Sequence, residues 1–421
     1  MRSKHHQSGM TTLLITSLLL IVALLFSLAS YKNLFYQIKR TQNEVLARQA
    51  HWVAEGGIEC GFSYIKEIGD ISSAKASFNN CESLLNLSKL EINSNNIITS
   101  NYNILAKKEI QKKVKMQRGS SSGAIKSSSD IYVRGSTLFA TVDPGELRDD
   151  GWECVAIRYK NIFSSVAGAI NNGVNTVVKP YASFNNKGKS CNINNITNVS
   201  VNGPYKKDFL LDGKLEPFKD TFNYKREDWL VLKNELSFFT IKDVDINGVV
   251  NKIDGNKVIS ECGKKIAYEV KNNPNRRLWV DGSCEIKSTE ISVLKQAFID
   301  NPKPILLLVH NGIFAVHGSM TFPGMFYHFN NGFIPSESFW NNFEAKGYFG
   351  NYSLFPGLEI AKTVYFQRGA FIFSGGQVLD SPGYSAYFDQ SLNFSFNRDN
   401  IDEVIDPYYE YKWQKGSWND L

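Results

Sequence analysis

The chain has 421 residues, enough for two to three domains with a buried core. With 43% hydrophobic and 21% charged residues it is not a disordered chain, and 13% aromatic residues favour pleated strands. The net charge of +6, from 47 basic and 41 acidic residues, is too small to argue for nucleic acid by itself.

The first nine residues, Met-Arg-Ser-Lys-His-His-Gln-Ser-Gly, are short, polar and basic. From Met10 to Tyr31 there follow 22 residues without a single Asp, Glu, Lys, Arg or His. As a helix this run spans roughly 33 Å, enough to cross the hydrocarbon core of a bilayer. It argues against an entirely cytosolic enzyme. Arg2 and Lys4 precede the run and hold that end in the cytoplasm, so residues from about Lys32 onward face outside. A secretory signal carries its cleavage site beyond the apolar stretch. Here the processing point reads on the near side, between Gly9 and Met10, which leaves the apolar helix on the mature chain.

This arrangement resembles the class III signal, the prepilin leader of type IV pilins and type II secretion pseudopilins. The resemblance implies cleavage after Gly9 by prepilin peptidase and methylation of the new N-terminus at Met10. Residues 37–59 continue the helix as a polar, helix-favouring stretch. Within it, Ala47-Arg-Gln-Ala50 and Ala54-Glu-Gly-Gly-Ile-Glu59 are similar to the segment of PilX-like minor pilins and of the K-type pseudopilin. The likeness covers roughly residues 5–65. Major pilins carry Glu at the fifth mature position, where this chain has Leu14. A carboxylate within an apolar helix is costly without a partner. A subunit with nothing ahead of it needs none, so Leu14 implies a minor, tip-associated subunit.

Residues 66–130 read as a polar connecting region. Its end, Gly119–Ser129, is rich in Ser and Gly and reads as a flexible linker. The basic run 107–118 reads as a solvated face; nucleic acid or a lipid surface is the alternative partner for it. Residues 131–270 read as the β-rich pilin body. Trp152–Tyr159 has strand composition, and Asn172-Gly173, Asn202-Gly203, Asp212-Gly213, Asn247-Gly248 and Asp254-Gly255 are turn signals, several of them fitting hairpins. Asp243, Asp245, Asn247, Asn251 and Asp254 have calcium-loop spacing, with Gly248 at the sixth position. An Asn-Gly hairpin is the favoured reading, so no cofactor is expected and calcium is the alternative.

Residues 271–400 carry short apolar runs between Gly and Asn turns, such as Ile305–Gly312, Ile313–Gly318 and Thr363–Gly369. Stacked short strands would bury them as in a parallel β-helix, with a sandwich or jelly roll as the competing architecture. Their order is similar to the C-terminal part of long PilX-like pilus assembly proteins. The tail, 401–421, holds Tyr408, Tyr409, Tyr411, Trp413 and Trp418 and reads as docked on its own domain.

Cys60, Cys81, Cys154, Cys191, Cys262 and Cys284 all lie beyond the apolar segment, with no Cys-x-x-Cys pair. An even count in an extracytoplasmic body suggests disulfides. Fifteen pairings are open, and the sequential one is the expectation. His310, His317 and His328 fit no helical ligand motif and read as turn or sheet-face residues. No nucleophile elbow, phosphate-binding loop or zinc-protease motif occurs, so no enzyme is expected.

The fold class expected is therefore α+β, a long pilin-type helix and then a β-rich body, with the leader at 1–9 and the transmembrane helix at 10–65. The function expected is that of a minor type IV pilin that primes assembly or mediates adhesion or aggregation. Its partners would be other minor and major pilins, the prepilin peptidase, the inner membrane before assembly and an unknown surface ligand. The alternatives are a membrane-anchored extracytoplasmic β-solenoid binding protein or glycan-active enzyme, and a K-type pseudopilin.

Overall fold

The computed structural model describes residues 8–68, 71–117, 122–174, 177–201, 203–235, 238–241, 258–350, 352–390, 392–405, 410–414 and 416–420. A long N-terminal helix is followed by a β-rich body with mixed α/β content. The chain forms two compact units, one of residues 1–117 with 410–421 and one of residues 118–409.

The first unit is built on α1 (Ser8–Ile68), 61 residues without a break. At 1.5 Å per residue it is about 90 Å long. It is long and apolar enough at its start to cross a membrane. From Met10 to Val45 every side chain is exposed. The pattern then changes: Ala50, Ala54, Ile58 and Ile65 are buried at helical spacing, with Gly57 and Gly61 on the same stripe. The stripe packs on α2 (Phe78–Leu85) and on an antiparallel sheet of β1 (Lys89–Ile92), β2 (Ile97–Tyr102) and β3 (Lys108–Gln117). Small residues let the sheet come close. A Cβ on Gly57 would run into the Ser100 hydroxyl and lie 2.6 Å from Leu87.

Two C-terminal strands complete this sheet. Glu410–Trp413 and Asn419–Asp420 both pair antiparallel with β3, and Gln117 lies directly opposite Glu410. Residues 118–409 are thus inserted where a hairpin turn would close β3 onto the returning strand. The expected polar connection at 66–130 is corrected: residues 78–117 form a helix and the sheet. Polar residues alternate with core residues there, and Ser100 takes one of the buried places on β2, which blurs the period-2 signal.

The second unit consists mainly of parallel ladders. In spatial order the longest joins Phe209–Leu211, Ile157–Tyr159, Ile125–Ser127, Gln377–Asp380, Gly324–Phe329, Ile305–His310, Arg277–Asp281 and Phe239–Ile241, every neighbouring pair parallel. A second ladder of seven parallel strands runs in the same order, from Phe163–Ser165 through Asp130–Arg134 and Ser385–Asp389 to Val258–Ile259. Shorter ladders supply a third set, including Thr137–Thr141 between Ala169–Asn171 and Leu392–Ser395. Side chains such as Leu307, Phe314, Phe326, Leu379 and Phe388 fill the core.

Spatial order is not chain order. The strands at 125–141 lie against those at 377–395, so the last strands of this unit dock on its first. The separation of a 131–270 body from a 271–400 domain is corrected accordingly, since both segments share every long ladder. Asn172-Gly173 and Asp212-Gly213 lead the chain out of parallel strands instead of closing two-residue hairpins. The Ser-rich stretch at its end is no linker: Ser127, Ser128 and Ser129 are buried, and their hydroxyls donate to Ser129, Asp380 and Ser381 respectively. Serine satisfies backbone and side-chain acceptors at a tight bend between two strands, a role composition does not announce.

The excursion 330–362 covers the outer face of the second ladder, where Trp340, Phe343, Phe349 and Phe355 pack on Phe366 and Tyr387. Disulfides join Cys60 to Cys81, Cys154 to Cys191 and Cys262 to Cys284. Closing such loops contributes about 3–4 kcal/mol each in the chain-entropy model.

Candidate functional site

The N-terminal segment is the first candidate. Gly9 and Met10 lie in the opening turn of α1, a turn without acidic residues, and Met10 is 78% exposed. Leu14 is exposed on the same apolar surface, alongside Leu13 and Ile15. The polar interruptions Thr16 and Ser17 return their hydroxyls to the carbonyls of Leu13 and Leu14, so the stretch presents few free polar groups. This geometry supplies an apolar rod for lipid or for other helices.

At the other end of the first unit the aromatic tail docks on its own unit. Trp413 stacks on Phe62 at 4.1 Å. The Lys112 ammonium lies 4.2 Å from the Trp413 ring and 5.0 Å from the Trp418 ring, and it pairs with Glu59 at 3.0 Å. The basic run therefore spends Lys112 internally, and its residues Lys108–Gln117 form β3. Tyr411 is buried beneath it; Tyr408 and Tyr409 lie outside the described residues.

The proposed calcium loop, Asp243, Asp245, Asn247, Asn251 and Asp254, also lies outside the described residues. Among the described residues no three metal-binding side chains come together. The three histidines are buried on the ladders. His310 Nδ1 meets Asp281 at 2.9 Å, and Lys233 binds the other oxygen of that carboxylate at 3.0 Å. Burial raises the Asp281 pKa, but these two partners outweigh it and hold the group down at about 2. His317 lies 3.3 Å from Glu285, whose oxygens accept the backbone N–H groups of Glu344 and Ala345. Distance in sequence hides both acids, because each lies on the neighbouring strand of its histidine's ladder.

His328 is a different case. It donates from Nε2 to the Gly312 carbonyl at 2.8 Å, and Ser381 lies 3.3 Å from Nδ1. Burial pushes its pKa down to about 4, against the pull of that carbonyl. The unfolded chain binds the proton more readily, so this stability is complete above pH 6.5 and lost as pH falls towards 4. We expect roughly 3 kcal/mol of unfolding free energy to disappear between pH 7.5 and 4 through this group. Urea unfolding at both pH values should show His328→Gln flattening that dependence, and an unchanged slope would refute the assignment.

A polar cavity of about 420 Å³ is the second candidate site, and sequence reasoning missed it. Its walls carry four basic side chains, Lys126, Arg148, Arg158 and Arg398, and five acidic ones, Asp143, Glu146, Glu153, Asp220 and Asp402. Arg158 pairs with Asp212 at 3.0 Å and Glu153 at 3.4 Å, and donates to the carbonyl and hydroxyl of Ser122. Arg398 meets Asp143 at 2.8 Å, and Asp143 also accepts the N–H groups of Gly123 and Gly145. The Lys126 side chain, half-buried on the strand Ile125–Ser127, makes no hydrogen bond or ion pair among the described residues. Burial lowers its pKa, although Asp143 and Asp220 pull the other way. Gly376 opens the wall beside it: a Cβ there would lie 2.9 Å from the Ala124 carbonyl and within contact of Phe396. The only sequence signal was a lone Lys in a Ser-rich run. Set against known proteins, the chain matches no family model, no curated protein and no solved structure.

Proposed function

We propose that this chain is a minor, tip-associated type IV pilin that primes pilus assembly and contacts a surface or another cell. The observation that carries the reading is the division of labour along α1. One unbroken helix of 61 residues begins with an exposed, charge-free stretch and ends in a small-residue stripe packed on an antiparallel sheet. The bilayer would store the subunit by the first part, and the same part would pack among other subunits by van der Waals contact and small or polar residues such as Ser17, Ala23 and Ser27. The inserted 292 residues, 118–409, are bulky for a repeated subunit of a slim fibre, which favours the tip. We read their ladders as a parallel β-helix-like stack, on the support of the all-parallel pairing in the two longest ones.

A second reading, a membrane-anchored extracytoplasmic binding protein, draws on the same stack and its polar cavity and needs no filament. The two separate on processing. In cells with a prepilin peptidase, intact mass and N-terminal sequencing should give a chain that starts at methylated Met10; without the peptidase it should start at Met1. Gly9→Ala should abolish that cleavage and pilus function together. A chain starting at Met1 in both strains would discard the pilin reading.

A further inference from the structure

We infer that the cavity around Lys126 binds a small acidic sugar, with the Lys126 ammonium taking the ligand's carboxylate. The inference goes beyond filament assembly and stands without it.

Size comes first: about 420 Å³ falls within the roughly 300–1,000 Å³ range of small-molecule sites. Charge comes second. An ammonium offers three donors and no acceptor, and a half-buried one without a partner is left incompletely satisfied. Arg158 and Arg398 already hold carboxylates of the protein, whereas Lys126 holds none among the described residues. A ligand anion completes it. The surrounding balance then selects the kind of anion. Five acidic side chains against four basic ones oppose a doubly charged phosphate, while a single carboxylate beside Lys126 meets far less repulsion.

The remaining surface suits hydroxyl groups. Asp143 and Glu153 are held in place by arginines and backbone N–H groups, and their carboxylates accept hydrogen bonds only. Glu153 already accepts one hydroxyl, that of Ser122, at 2.7 Å. Phe396 and Met325 add apolar wall for the C–H face of a sugar ring.

The test titrates the purified full chain in detergent with D-glucuronic acid, D-galacturonic acid and N-acetylneuraminic acid, read by saturation-transfer NMR and calorimetry. At least one should bind, and its uncharged amide should bind tenfold more weakly or worse. Lys126→Met should cost the same tenfold without lowering the melting temperature. The charged-against-amide comparison uses the unaltered protein, so it decides the matter even if the variant fails to fold. Three results would each overturn the inference: no binding of any of the three acids, equal binding of acid and amide, or Lys126-dependent binding of inorganic phosphate in their place. Because the readout is ligand binding, a negative result leaves the N-terminal processing test untouched, and an unprocessed N-terminus leaves this one untouched.

Discussion

Replacing residues 118–409 by an Asn-Gly dipeptide should leave a folded miniature of the first unit. Gln117 and Glu410 are opposed partners in an antiparallel pair, which sets their Cα atoms about 5 Å apart. Two residues with positive φ close such a pair as a tight hairpin. Among the described residues, the core of this unit, from Ala50 through Ile98 and Val114 to Tyr411, draws none from the insertion. Its disulfide, Cys60–Cys81, is likewise internal. The excised chain should keep that disulfide, its helical and strand circular dichroism and a cooperative melt. The separate 118–409 fragment should melt cooperatively too, since its cores and its two disulfides are its own. A miniature that is unfolded at all temperatures would mean that the sheet borrows stability from the insertion.

Asp380→Ala should be the most damaging single change in the second unit. The carboxylate is 1% exposed and ties three distant segments together. Ser128 donates to it at 2.9 Å, Tyr327 at 3.1 Å and the Arg226 Nε at 3.3 Å. Ser128 follows one of the first strands of this unit, Asp380 ends one of the last, and Arg226 lies in the segment between Phe209–Leu211 and Phe239–Ile241, the two end strands of the longest ladder. Removing one partner of a buried pair costs about 3–5 kcal/mol, because the other charge and donors are left behind. Arg226 retains 33% exposure, so water recovers part of the loss and about 3 kcal/mol is expected. For a unit of 292 residues that lowers the melting temperature by about 5 °C. The first unit should melt unchanged in the same scan. Asp380→Asn keeps an acceptor for Ser128 and Tyr327 and should lose less. A melting temperature unchanged in the alanine variant would show that the junction is held elsewhere.

These two expectations mark where sequence reading reaches and where it stops. The apolar run Met10–Tyr31 and the small residues of Ala54–Glu59 were legible because helical signals are local: each depends on neighbours three or four residues away. The acid partners of the histidines, the cavity and the order of the strands were not legible, for the opposite reason. Asp281 reaches His310 across 29 positions and Ser128 reaches Asp380 across 252, and nothing in either segment alone names its partner. Parallel pairing removes even the hairpin clue, since partners must be joined by a crossover and not by a turn. Lys126 was lost in a stretch whose composition matched a linker, because the buried serines around it earn their place by hydrogen bonding and not by hydrophobicity.

By itself, then, the sequence determined that a charge-free run long enough for a bilayer, Met10–Tyr31, lies ahead of a β-rich body, and that six cysteines lie beyond that run. Hydropathy and residue type decide such things along the chain. Tertiary structure alone decided that the last strands return to the first sheet, that the inserted unit closes its end on its beginning, and that Lys126 faces a cavity with no ion-pair partner among the described residues. Those outcomes depend on which surfaces meet, and burial and hydrogen-bond satisfaction settle that only when the whole chain is folded.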